Sequence, residues 1–252
     1  MTNNKANIKI DALQILIRDS IKDFAERLLS ALGSNLQSIT VVGSSLTDDF
    51  RPGQSDINTV LILGRQNLDS LKAVASLTKP MSRKKISPPL LMTQSYIEQS
   101  KDVFGVEFLD FQLAHETVMG NDPFASLTCD KEDVRLQCER ELKAMLIRLR
   151  QGYIASAANK RLVRDILIST AKGLEPLLRA MLWLKDIERN ARAEPTFEKA
   201  AREFSTDTNP LISTMKWRHE KTRLSENEME NAFESVYSVV DELASIVDEL
   251  KV

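Results

Sequence analysis

The sequence predicts an α/β (α+β) domain with a small mixed sheet over residues 1–125, followed by an all-α helical bundle over 126–252. Two observations carry this division. Short β-branched runs bounded by turn residues, such as Ile39-Thr40-Val41-Val42, are confined to the first half. In the second half, long stripes of apolar residues recur at spacings of three and four. A Gly120-Asn121-Asp122-Pro123 turn precedes the change of character, and the break is expected between Asn121 and Asp130.

In chain order, Leu13, Ile17, Ile21, Phe24 and Leu28 predict a first helix from about Ile8 to Leu32, with Gly33 as its C-terminal cap. Leu36–Val42 is too short for a helix and reads as a strand. Gly43, Ser44, Ser45, Asp48, Asp49, Pro52 and Gly53 make the next stretch irregular, and Ile57–Leu63 reads as a second strand. A helix over 67–78, capped by Asn67 or Asp69, a short strand at 90–92 and a short helix over 96–102 follow. Val106–Phe111 is expected to be a strand, and Glu116–Met119 a further one.

Beyond that turn no strand signal remains. A helix over 131–153 aligns Val134, Cys138, Leu142, Met145 and Leu149. A second run aligns Val163, Leu167, Thr170, Leu174, Leu177, Met181 and Leu184, with Pro176 expected to kink or divide it. A third starts at the Ser225-x-x-Glu228 capping box and buries Phe233, Val236, Val240, Leu243, Val247 and Leu250. An antiparallel bundle gives these stripes partners.

The 252 residues carry 28 % charged side chains and a net charge of -2. That balance argues against a protein whose main work is coating nucleic acid. Two cysteines, Cys129 and Cys138, exclude a disulfide framework and a four-thiolate zinc site. No segment reaches the roughly 18 apolar residues of a membrane span, and Met1–Asp11 is polar, so a cytoplasmic location without membrane attachment is expected.

The chemistry concentrates in Val41-Val42-Gly43-Ser44-Ser45 and, after a loop, Ser55-Asp56-Ile57-Asn58. Without a Cβ, Gly43 lets a backbone turn approach a ligand closely. The amides and hydroxyls of Ser44 and Ser45 can then donate to phosphate oxygens. Asp56 and Asn58, two apart on an extended chain, point to one face and offer two oxygen ligands suited to Mg2+ bound with a phosphate.

These residues resemble the nucleotidyltransferase superfamily, which includes polymerase-β-like, aminoglycoside and minimal nucleotidyltransferases. Its pattern is Gly-Ser, a loop, Asp-x-Asp on the next strand and a third acid on a later strand. Gly43-Ser44 and Asp56 match, and His115–Asp122 is similar to the closing strand and turn of the minimal members. The resemblance implies that Gly43, Ser44 and Ser45 bind a nucleoside triphosphate. It implies Mg2+ at Asp56, Asn58 and Glu107, with Asp56 and Glu107 catalytic. Asp110 competes with Glu107 as the third acid. The implied reaction transfers a nucleoside monophosphate to a hydroxyl of a small molecule or protein, with release of pyrophosphate.

One departure divides the reading. Asn58 stands where the second acid of the pair belongs, and an amide oxygen brings no negative charge to assemble metal ions. The alternative is therefore a catalytically impaired domain that binds nucleotide or serves as a regulatory or interaction module.

Other features read more plainly. His115 and His219 are isolated, Cys138 is a core thiol, and Arg83-Lys84-Lys85 is a basic loop able to steer a triphosphate. Trp217, among cations from Lys216 to Arg223, reads as a packing residue of a helix linker. The exposed faces of the long helices could pair with a second copy of the chain.

Overall fold

Helix α1 (Ile15–Leu32) buries Ile17, Ile21, Phe24, Ala25 and Leu28, the stripe that the sequence marks. The computed structural model describes residues 8–218, 220 and 224–252. The first helix begins at Ile15 rather than Ile8. Upstream, the Lys9 amide donates to the Val118 carbonyl at 2.8 Å and Leu13 closes a turn on Ile10, so this backbone is satisfied outside a helix.

Strands β1 (Leu36–Val42), β2 (Asn58–Leu63), β3 (Leu90–Met92) and β4 (His115–Met119) form one mixed sheet in the order β3-β2-β1-β4. β1 runs antiparallel to both β2 and β4, while β3 is parallel to β2. Ile39, Val41, Leu61 and Leu63 join the α1 stripe in one apolar core. Each such side chain, fully buried, contributes about 1.5–3 kcal/mol.

Between β2 and β3 lie α2 (Leu68–Ala75) and α3 (Thr78–Ser82), so the helix expected over 67–78 is divided in two. Asn67 is its cap, accepting the Ser70 amide at 2.9 Å. Helix α4 (Gln94–Gln99) follows β3. The strand expected at Val106–Phe111 is instead helix α5 (Gly105–Leu113). Alternation fails there at Asp110, whereas Val106, Leu109 and Leu113 recur at spacings of three and four. Val106, Phe108 and Leu109 are buried.

The chain divides into two compact units. The first holds the described residues up to Lys101 together with Phe108–Thr128; the second holds Asp102–Glu107 and Cys129–Val252. The first turn of α5 thus belongs with the second unit.

In that second unit, α6 (Lys131–Ser156), α7 (Lys160–Leu184) and α10 (Glu226–Glu249) pack on one another, and α8 (Ala193–Phe204) and α9 (Asn209–Lys216) pack on α7. Asp130 and Asn159 cap α6 and α7, and Ser225 and Glu228 complete the capping box of α10. Pro176 lies inside α7 without dividing it. Helices α8 and α9 were not expected. The Cys138 thiol is fully enclosed, and burial, with the Glu107 and Glu141 charges adding to it, pushes its pKa up to about 12. Trp217 is buried at the end of α9. His219 lies outside the described residues. Among those described, no helix is long and apolar enough to cross a membrane.

Candidate functional site

Strand β1 ends at Val42, and Gly43 turns the chain with φ +80° into a single 3-10 turn, Gly43–Leu46. The Gly43 amide donates to the Ala114 carbonyl at 2.8 Å, which ties this corner to the chain entering β4. The turn closes on itself: the Thr47 amide and hydroxyl both donate to the Ser44 carbonyl at 3.1 Å. The Gln14 amide group, just before α1, donates to the Thr47 carbonyl at 2.8 Å. The Ser44 amide opens this turn, ahead of the first bond that closes it, whereas the 3-10 pattern commits the Ser45 amide to the Val42 carbonyl.

The two serines part company. Ser44 is exposed, whereas Ser45 is buried and its hydroxyl has no hydrogen-bond partner. Of the two hydroxyls only that of Ser44 is open to a ligand.

The loop before β2 is held by hydrogen bonds between Arg51 and Ser55, in which the Ser55 hydroxyl accepts the Arg51 amide at 3.1 Å. Strand geometry then takes over. Asp56 and Asn58 are exposed, while Ile57 and Thr59 between and beyond them are buried. This alternation puts both oxygen-bearing side chains on the solvent side of the chain. Ile57 is anchored by its amide to the Lys85 carbonyl at 2.7 Å, and its own carbonyl accepts from Ser87. Asn58 pairs directly with Val42, next to Gly43. A Cβ built on Gly43 would lie 3.9 Å from Asn58 Nδ2, its nearest neighbour. The Gly-Ser corner and the Asn58 side chain therefore share one end of the sheet.

Of the basic run, Lys84 is committed elsewhere, 2.7 Å from Asp23 Oδ2. Hydrogen bonds from Lys84 and then Arg27 hold the Asp23 carboxyl below its usual range. Lys85, at φ 59°, stands at the bend whose carbonyl receives the Ile57 amide.

Glu107 sits on the first turn of α5 in the second unit, not on a strand. The Gln137 side-chain amide donates to its Oε2 at 2.7 Å, while Gln137 Oε1 accepts the Val106 amide at 2.9 Å. Glu107 is therefore not an acid on a third strand, as the sequence had suggested, and Asp110 lies on the same helix. Beside β2, the residues of β3 are Leu90, Leu91 and Met92, none of them acidic. Among the described residues no group of three or more His, Cys, Asp or Glu converges to hold a metal. What remains is one exposed carboxylate, Asp56, and one amide oxygen, Asn58. Such a set fits a Mg2+ that arrives with a polyphosphate and keeps most of its water, rather than a resident ion in a protein cage.

His115, read from the sequence as isolated, has a partner. Its Nε2 is 2.9 Å from Asp122 Oδ2, and its Nδ1 is 3.2 Å from the Gln112 carbonyl. The ring meets Phe124 edge to face. Burial raises the Asp122 carboxyl, but the Phe124 amide and His115 outweigh it and hold the group below its usual value. A histidine and an aspartate on either side of a Gly-Asn turn were the signal available for this pair.

No protein-family model and no curated protein matches the chain. Among solved structures it is similar to spectinomycin adenyltransferase AAD(9) from Enterococcus faecialis, crystallised with ATP and spectinomycin. The match has a TM-score of 0.57 at 10 % identity and covers 88 % of this chain and 98 % of that one. This chain thus has the fold of a nucleotidyltransferase: an α/β unit with a small mixed sheet and a helical bundle.

Proposed function

We propose that the first unit binds a nucleoside triphosphate at the Gly43–Ser44 corner and transfers its nucleoside monophosphate to the hydroxyl of an acceptor. The observation that carries this reading is the meeting of the two motif halves: Asn58 reaches the Gly43 turn, and Asp56 is exposed two residues before it. The fold shared with an adenyltransferase crystallised with ATP and a small-molecule acceptor supports it. The acceptor class proposed here is a hydroxylated small molecule, with a protein side chain as the other candidate.

In this reading the amide and hydroxyl of Ser44 donate to the triphosphate, and Gly43 leaves room for its approach. Asp56, with the Asn58 amide oxygen, would hold Mg2+, which supplies neutralisation of phosphate charge when bound. The acceptor hydroxyl loses its proton to solvent as its oxygen forms a bond to the α-phosphorus, the bond from that phosphorus to the α,β-bridging oxygen breaks, and pyrophosphate leaves. Most of the acceleration comes from positioning and charge complementarity.

The test is pyrophosphate release from each common nucleoside triphosphate with Mg2+ and a panel of hydroxylated acceptors, alongside calorimetric binding. Asp56→Ala is expected to lower turnover by at least about a hundredfold, the scale of losing a principal charge-stabilising group. Turnover unchanged in Asp56→Ala would sink the reading.

A second reading is favoured by two observations. Asn58 brings no charge, and Glu107 is held on a helix by Gln137. Here the protein binds nucleotide without turning it over and acts as a sensing or interaction module. Asn58→Asp separates the two. Metal-dependent turnover gained by the variant, where the native chain has none, identifies the native chain as a binder.

A further inference from the structure

Val42, the last residue of β1, pairs on one side with Asn58 and on the other with His115. The three therefore lie in a row across the end of the sheet and share a face. The Gly43 amide is held by the carbonyl of Ala114, the residue immediately before His115. Whatever fixes His115 therefore fixes the carbonyl on which the corner hangs.

Both ring nitrogens of His115 lie within hydrogen-bonding distance of a partner. Both partners, the Gln112 carbonyl and the Asp122 carboxylate, are acceptors. A neutral imidazole carries one N–H and donates to one of the two at a time, whereas the imidazolium donates to both. Its partner is anchored in turn. Asp122 Oδ1 accepts the Phe124 amide at 2.9 Å, and the Ser38 hydroxyl of β1 donates to the Asn121 carbonyl at 2.8 Å. Gln112, which receives Nδ1 on its carbonyl, uses its side-chain amide to donate to the Phe124 and Leu127 carbonyls. A continuous path runs from the Ser38 side chain of β1, through the turn at 120–124, to His115, Ala114 and Gly43.

We propose that the His115–Asp122 pair positions the phosphate-binding corner: it clamps the α5–β4 junction so that the Ala114 carbonyl holds the Gly43 amide and the Ser44 amide stays available to a ligand. His115 is thus a positioning residue, acting through Ala114. Its consequence for nucleotide affinity rests on the function proposed above, whereas its effect on the Gly43 amide does not.

The experiment uses the full chain and two readouts. The first is amide hydrogen exchange at Gly43 without ligand, set against exchange at Leu61 in the centre of the sheet. The second is calorimetric titration with each common nucleoside triphosphate and Mg2+. His115→Ala is expected to speed exchange at Gly43 about tenfold, roughly the effect of one lost hydrogen bond, with Leu61 unchanged. Triphosphate affinity falls by a similar factor. His115→Gln, whose amide can still donate toward Asp122, recovers part of both effects. Asp122→Asn, nearly the same shape, reproduces the loss of His115→Ala in a milder form and serves if that variant does not fold. Equal acceleration at Gly43 and Leu61 means general loosening and overturns the proposal, as does unchanged exchange at Gly43. If the native chain binds no nucleoside triphosphate, the nucleotide function falls, while the exchange arm still decides the clamp.

Discussion

Two neighbouring strands end on a glycine in the same backbone conformation, and the two glycines are required for opposite reasons. Gly43 closes β1 at φ +80° and Gly120 closes β4 at φ +79°. A Cβ on Gly120 would stand 2.0 Å from the Gln37 carbonyl oxygen and 2.9 Å from the Ser38 Cα, both backbone atoms of β1. A Cβ on Gly43 would meet only Asn58 Nδ2, at 3.9 Å. At Gly120 the protein has filled the space that a side chain would occupy. At Gly43 that space is open, beside the exposed Ser44 and the Asn58 side chain. The same φ therefore marks a packing constraint in one place and open space in the other.

Substitution by alanine tests the contrast most strongly at Gly120. Backbone cannot withdraw as a flexible side chain can, so Gly120→Ala is expected to cost about 3 kcal/mol or more, read as a lowered midpoint in urea. Gly43→Ala meets only the conformational penalty, about 1–2 kcal/mol. Its triphosphate affinity, however, should fall by more than the stability does, because the new methyl occupies the approach side of the corner. A loss of stability at Gly43 as large as that at Gly120 would break the distinction. The finest test is the serine pair. Ser44→Ala should leave stability within about 0.5 kcal/mol and weaken triphosphate binding about tenfold, the scale of one hydrogen bond. Ser45→Ala removes a buried hydroxyl that has no partner, so stability should hold or rise by about 1 kcal/mol, with affinity nearly unchanged. Calorimetric titration beside urea melts of both variants checks the pair.

What could be read from sequence were features written within a few residues. The β-branched runs of β1 and β2, the Asn67 cap and the Ser225–Glu228 box all depend on local backbone preference or short hydrogen bonds. So does the spacing of Asp56 and Asn58, since alternation is a property of any extended chain. The failures lie where remote groups intervene. Val106-Glu107-Phe108 alternates like a strand, yet Gln137, thirty-one positions beyond Val106, accepts its amide with one end of its side-chain amide and donates to Glu107 with the other. Helix α8 was not expected, although Phe197, Ala200 and Phe204 repeat at helical spacing; Pro195 lies in its first turn. Proline in the first turn of a helix is tolerated, since the amide it lacks has no intrahelical partner there.

The sequence by itself determined the two-part architecture and the pairing of a glycine corner with an Asp-x-Asn strand. Both follow from periodicity and from backbone chemistry that acts over a few residues. Only the tertiary structure decided which serine keeps its hydroxyl open, that Glu107 lies on a helix, and that His115 braces the corner through Ala114. Those outcomes depend on which distant groups occupy the space and accept the hydrogen bonds, and a linear pattern does not encode that neighbourhood.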